Sequence, residues 1–206
     1  MSNLAETINN THIPTNYWDT IKQADLWFDL MTREFNMLKE RGVFEVIQRP
    51  QDKNVIGSKW VFAIKWNKDR SIEKRKTRIV AKGFTQVIGE DYEEIYASVA
   101  RLESVRLVCA ITTAKKLILW QVDFVSAFLN SDSNYKVYME QPRGFKEEEG
   151  DYVWKLKKTL YGTMQGTHDW AINLNKTFKG YKYYRSKADL QIRSRTIGDE
   201  LTIILT

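Results

Sequence analysis

Two runs rich in Val, Ile, Trp and Phe, Val55 to Trp66 and Ile72 to Phe84, flank the tetrapeptide Asn67-Lys68-Asp69-Arg70. Runs of this composition around a short polar turn predict a β-hairpin. Side chains alternate between the faces of a strand, so lysines and arginines at alternating positions share one face while aromatics share the other. This pattern constrains the chain most: whatever else it folds into must cover an apolar underside and leave a basic face free. Between Lys59 and Lys82 nine basic residues meet two acidic ones, a net charge of +7 in a chain whose total is +6, so the remainder sums to −1. Lys74, Arg75, Lys76 and Lys82 are candidate nucleic-acid contacts, because such a face can neutralise phosphates. Trp60, Phe62, Trp66 and Phe84 interleave with the cations and could pack beneath them or stack on a base. A solvated strand face with a buried aromatic underside fits the same pattern.

The rest of the chain reads as mixed structure. Residues 1–19 are polar and aperiodic and form a lead-in; residues 20–206 form a single domain, the size expected of roughly 150 residues or more. From Thr20 to Arg41, Ala24, Trp27, Phe28, Met31, Phe35 and Leu38 recur at helical spacing, and Gly42 supplies a stop. Residues 85–101 read as a loop, and Leu102, Val105, Val108, Cys109 and Thr112 form a second helical stripe. Leu117 to Phe124 reads as a strand, followed by a helical turn in VSAFLN. Further strands are expected at Lys136 to Gln141, Tyr152 to Leu156, 188–194 and 200–205, and a helix from Thr167 to Phe178. Strands and helices do not alternate strictly, so the expected class is α+β with a largely antiparallel sheet and packed helices. A single cysteine and two histidines argue against an internal disulfide and against a Cys- or His-based metal cage. No apolar run of membrane-spanning length occurs and the N-terminus lacks a signal-peptide pattern, so the expected setting is intracellular, cytoplasm or nucleus, without a membrane partner.

Asp123 follows the apolar run 117–122 and precedes a short helical turn. A carboxylate there suits a hard cation, and it equally suits a helix cap.

The blocks KTRIVAKGFTQVIGEDYEEIYASVARLESVRLV, WQVDFVSAFLN, KVYMEQPRGF and VWKLKKTLYGTMQGTHDW, in this order and spacing, resemble the reverse transcriptase of copia-type LTR retrotransposons. The resemblance runs from about Trp27 to the last residue. It implies a right-hand polymerase fold, with this chain covering fingers and part of the palm. It implies templated nucleotidyl transfer from a dNTP, with an RNA template, a DNA primer and Mg2+ as partners, in a longer polyprotein or beside a complementing chain. Residue by residue, Asp123 matches the first catalytic aspartate and metal ligand, and Phe124 a backbone metal ligand. Lys65 and Arg78 match triphosphate contacts, and Phe128 the bulky residue against the sugar, although a core aromatic would look the same. Gln165 and Gly166 match the turn lining the nucleotide.

The sequence departs from that pattern in several places. It contains no Asp-Asp dipeptide, and ends at Thr206 where the Tyr-x-Asp-Asp block is expected, which implies a catalytically incomplete chain. Arg70 stands where the family has a turn glycine. Ala97-Ser98 and Gly166-Thr167 stand where it has a proline dipeptide, and Asp189–Arg195 departs from the usual Asp-x-Cys/Ser-x-Tyr/Phe. A non-catalytic nucleic-acid- or nucleotide-binding fragment, or a relic without function, are the competing expectations.

Overall fold

The computed structural model describes residues 12–22 and 24–206. Of the expected lead-in, residues 1–11 lie outside the described residues, and Asn16 caps a short helix α1 (Tyr17–Ile21) by accepting from the Trp18 and Asp19 amides. The long amphipathic helix α2 (Ala24–Glu40) follows. Its buried stripe is Trp27, Met31, Phe35 and Leu38. Gly42, at φ +61°, closes it as the sequence predicts, with its amide donating to Lys39 O and the Val43 amide to Leu38 O.

Four strands, β1 (Phe44–Gln48), β2 (Val55–Ile56), β5 (Tyr138–Glu140) and β6 (Tyr152–Leu156), form a sheet in the order β1-β6-β5-β2. All its pairings are antiparallel except β2 with β5. The first predicted hairpin strand is therefore divided at Gly57: β2 joins this sheet, and β3 (Ser58–Trp66) pairs antiparallel with β4 (Ile72–Ala81). The underside of that hairpin is buried as predicted, through Trp60, Phe62, Thr77, Ile79 and Ala81. It closes on α2, where Trp27 meets Phe62 edge to face at 5.3 Å and Thr77 donates to Leu30 O at 3.0 Å. Aromatic stacking joins α2 to the first sheet, since Phe44 and Trp154 lie parallel at 3.6 Å and Phe35 packs beside both. Each fully buried side chain of this size contributes about 2–3 kcal/mol, so this cluster is the main stabilising element.

A third sheet, β7 (Tyr184–Arg185), β8 (Ile192–Ile197) and β9 (Glu200–Leu205), is antiparallel. Helix α3 (Leu102–Ala114) is tied to it through its N-terminus: Asp189 accepts from the Ser104 hydroxyl and from the Arg101 amide. Helix α4 (Gly166–Gly180) lies against the 3-10 turn Ala127–Asn130, Asn173 donating to Asn130 O at 2.7 Å. The protein is thus mixed α+β with mostly antiparallel sheets. No helix among the described residues is long and apolar enough to cross a membrane.

One expected strand is absent. Leu117 to Phe124 is not a strand but irregular chain, with Trp120 81% exposed and Ile118, Leu119, Val122 and Val125 also exposed. A strand requires a neighbour for its backbone groups, and none of the described strands runs beside it. The second helical stripe is a helix as expected, α3, though it is mostly uncovered: Val108 is buried, while Leu102, Val105 and Cys109 are exposed.

The hairpin turn carries strain that the sequence comparison with a turn glycine foreshadows. Arg70 sits at φ +65°, a left-handed conformation costing a non-glycine residue about 1–2 kcal/mol. Asp69 holds the turn by accepting from the Ser71 amide at 2.9 Å and its hydroxyl at 2.6 Å, and these bonds keep its pKa below the ordinary aspartate value. Arg70→Gly is expected to stabilise the fold by about 0.5–1 kcal/mol, the relief of strain exceeding the extra entropy of an unfolded glycine. A urea titration checks this; an unchanged or lowered midpoint refutes it.

Candidate nucleotide and nucleic-acid interface

The β3–β4 register decides which cations share a surface. Lys59 faces Val80, Val61 faces Arg78, Ala63 faces Lys76 and Lys65 faces Lys74. These eight residues form the outer face, so Lys65, Lys74, Lys76 and Arg78 stand on one side as expected. Arg75 does not join them. It pairs with Ile64 on the core-facing side and is half-buried, and its Nε is buried without a partner. Period-two alternation requires this separation. Lys82 lies past the end of β4, its stem against Gly57 and its amide bonded to Gly57 O at 2.8 Å. Lys82 therefore borders the basic face.

Lys65 and Lys74 are like charges directly across the ladder, an unfavourable arrangement. A register shift after Lys65 leaves Glu73 as an extra residue, and its carboxylate accepts from Lys65 Nζ at 2.8 Å. Both partners are well exposed, and such a pair is worth only about 0–1 kcal/mol, so Lys65 can exchange Glu73 for a phosphate. Arg78 lies four strand positions from Lys65, about 13 Å toward the hairpin base. The two suit successive contacts along an extended polyanion better than a clamp on one phosphate.

At the base of the hairpin the chain meets the turn 161–166. The Ala81 amide donates to Tyr161 O at 2.8 Å, and the Gly83 amide to Gly162 O at 3.1 Å. The backbones approach so closely that a Cβ on Gly83 would lie 2.0 Å from Gly162 O, and one on Gly162 2.2 Å from Ala81 O. This junction assembles an aromatic trio. The Arg78 guanidinium covers the Tyr161 ring at 4.5 Å, and Phe128 meets the same ring edge to face at 5.4 Å. Phe128 is half-buried, neither a core aromatic nor a free one. Gln165, four residues after Tyr161, is fully buried: Gln86 Nε2 donates to its Oε1 at 3.0 Å, while Gln86 Oε1 accepts the Met164 amide at 2.8 Å. Gln165 Nε2 is buried with no partner. Gly166 opens α4 with little room for a side chain, a Cβ there lying 3.1 Å from Thr163 Oγ1.

The structure thus brings Arg78, Phe128, Gln165 and Gly166 to one junction, and Lys65, Lys74 and Lys76 to the adjoining face. Tyr161 and Gln86 are the participants that sequence reading passed over. Tyr161 lies within LYGTMQG and carries no charge to attract notice, and a buried glutamine in a loop has no periodic signal.

Asp123 stands apart. It is exposed in the irregular segment, and its neighbour Phe124 rests edge to face on Trp170, one turn into α4, at 5.1 Å. Among the described residues no group of three or more His, Cys, Asp or Glu side chains is placed to hold a metal. A lone carboxylate with the Phe124 carbonyl leaves two divalent ions far short of charge balance. The residues present do not fit a two-metal centre.

A family model described as reverse transcriptase (RNA-dependent DNA polymerase) matches residues 41–206. The chain is 31% identical over 176 residues to the retrovirus-related Pol polyprotein from transposon TNT 1-94 of Nicotiana tabacum, covering 85% of this chain and 13% of that protein. It is 33% identical over 152 residues to the Pol polyprotein from transposon RE2 of Arabidopsis thaliana, covering 73% of this chain and 10% of that protein. The Pol polyprotein from transposon RE1 of the same plant is 31% identical over 181 residues, covering 87% and 12%. The chain therefore spans about a tenth of the length of these relatives. No solved structure matches.

Two outcomes follow from the junction. Gly162→Ala places a side chain at φ +86° and against Ala81 O, combining backbone strain with overpacking. It should cost about 3 kcal/mol or more in urea unfolding, and a loss below about 1 kcal/mol would mean that the junction is loose. Beneath Arg78, half-buried Glu34 has an Oε1 without a partner; burial raises its carboxyl pKa above the ordinary 4.5, against the Ile79 amide and Arg78, which lower it. A raised folded-state pKa means stability that is full below the ordinary value and lost as pH rises through the folded one. Glu34→Gln should therefore raise the urea midpoint at pH 7 and leave it nearly unchanged at pH 4; equal midpoints at both would refute this.

Proposed function

This chain belongs to the reverse transcriptase (RNA-dependent DNA polymerase) family, in its copia-type branch, and we propose that its part in that chemistry is to grip template and nucleotide. In this reading β3 and β4 belong to the fingers, and the chain continues into the first part of the palm. The observation that carries it is the joining of the basic hairpin face to the Tyr161–Gly166 turn through the Arg78–Tyr161–Phe128 trio.

The residues divide the task by their chemistry. Arg78 offers a planar fork for phosphate oxygens, held in place by the Tyr161 ring, and Lys65 a mobile point charge farther out. Phe128 is the surface against which a sugar would rest, and Gln165 and Gly166 floor the same turn. Lys74 and Lys76 hold the template strand by its phosphates. The family reaction would transfer a nucleotide from a dNTP to a primer end with release of pyrophosphate, using magnesium. With Asp123 as the lone carboxylate on its segment and no Asp-Asp pair in the sequence, the chain by itself is a binding module, and turnover requires carboxylates from further polyprotein sequence or a second chain.

An RNA–DNA primer-template binding series between 50 and 200 mM salt tests the grip. Neutralising four cations' worth of phosphate contacts gives an expected slope of log K against log salt near −3.5, at about 0.9 per contact. Lys74→Gln, Lys76→Gln and Arg78→Gln together should flatten that slope by about 2.7. A slope near zero in the parent would overturn the reading. Primer extension on the same chain should give no incorporation above background, and robust incorporation abolished by Asp123→Ala would overturn the incompleteness.

A further inference from the structure

The charge outside the hairpin is not evenly spread. From Lys176 to Arg195 there are seven basic residues and one acidic, a second window of +6. It lies at the C-terminal end of α4, whose fifteen residues separate it from Gly166 by about 21 Å. The two basic regions therefore occupy opposite ends of one helix.

The second region is shaped as well as charged. A shallow groove of about 430 Å³ is lined by Tyr181, Lys182, Tyr184, Arg195, Thr196 and Ile197. Its walls are fixed by backbone bonds at the end of α4, with Tyr181 N donating to Thr177 O, Lys182 N to Lys179 O and Tyr183 N to Phe178 O. On the opposite wall the β8–β9 ladder holds Arg195 and Thr196 in register with Thr202 and Leu201. The Arg195 guanidinium covers Tyr183 at 4.6 Å and donates to Tyr181 O at 3.3 Å, while its Nε is buried without a partner. Tyr181 is 65% exposed and Tyr184 71% exposed. Lys182 lines the groove with them, and Lys176, Lys179, Arg185 and Lys187, also exposed, lie within nine residues of it in sequence.

We infer that this groove is a second nucleic-acid surface, which takes an unpaired strand by stacking its bases on Tyr181 and Tyr184 while the flanking cations meet its phosphates. Exposed tyrosine faces interleaved with cations serve single strands, whose bases are free to stack; a duplex hides its base faces and would use the cations alone. An acidic peptide would likewise use only the charges. The surface is separate from the hairpin, and its test is run in a chain whose hairpin face is weakened.

The experiment takes the full chain carrying Lys74→Gln, Lys76→Gln and Arg78→Gln, with a fluorescein-labelled twelve-nucleotide single-stranded RNA of mixed sequence as probe. Anisotropy should show retained, salt-sensitive binding, weakened about fivefold or more by each of Tyr181→Ala and Tyr184→Ala and much less by the phenylalanine replacements. A probe with 4-thiouridine should crosslink to the peptide containing residues 181–184. Several results would overturn the inference: no binding in the triply substituted chain, crosslinks confined to 59–82, alanine variants with unchanged affinity, or equal competition by a duplex or by polyglutamate. Because Lys74, Lys76 and Arg78 are replaced throughout, the tyrosine variants report on this surface and leave the grip proposed for the hairpin untouched.

Discussion

The backbone contact between the end of β4 and the turn at Tyr161–Gly162 is the constraint on which the rest of the interface depends. Two amide-to-carbonyl bonds and two glycines at which a Cβ would collide with a carbonyl oxygen leave the chains one way to meet. Once they meet so, Arg78 is held over Tyr161, and Tyr161 offers its edge contact to Phe128, although Arg78 precedes Tyr161 by 83 positions and Phe128 precedes it by 33. The Gln86–Gln165 pair then closes the same turn from below. Positions fixed by packing in this manner keep a guanidinium where a phosphate can find it, which a free surface arginine does not.

Much of this frame could be read from local pattern. The hairpin announced itself through period-two burial, α2 through its spacing of three and four, and strand β6 through a short apolar run. Each of these is decided by residues within one element. The interface was legible only in part, because charge invites grouping by proximity in sequence. Lys74, Arg75 and Lys76 read as one basic run, yet strand alternation turns Arg75 toward α2 and away from its neighbours. Parity, available in the sequence, would have separated them. Tyr161 and Gln86 gave no such signal, since their roles arise from contacts across the fold.

Residues 117–125 show the opposite failure. Their composition is that of a strand, and composition is a statement about what would fit a half-buried pleated surface, not about whether that surface is present. Among the described residues β9 has β8 on one side and no strand on the other, and the apolar run of 117–125 lies uncovered. The exposed side of α3 shares this condition, for Leu102, Val105 and Leu107 are exposed while Ser104 is drawn inward by Asp189. Propensity proposes a strand or an apolar stripe; only a partner surface makes burial pay.

Charge obeys a similar rule, and it changes how the two basic windows compare. Arg193 counts toward the second window but is buried, bonded to Asn175, Thr206 and the Gln191 carbonyl, so it knits β8 to α4 and offers nothing to a ligand. Arg75 is withdrawn from the first window in the same way. What remains in each includes a guanidinium against an aromatic ring: Arg78 over Tyr161 at one end of α4, Arg195 over Tyr183 at the other. A ring beneath a guanidinium fixes its plane without neutralising its charge. The formal charge of a stretch therefore overstates the charge its surface presents, because Arg75 and Arg193 are withdrawn inward while Arg78 and Arg195 are held against rings.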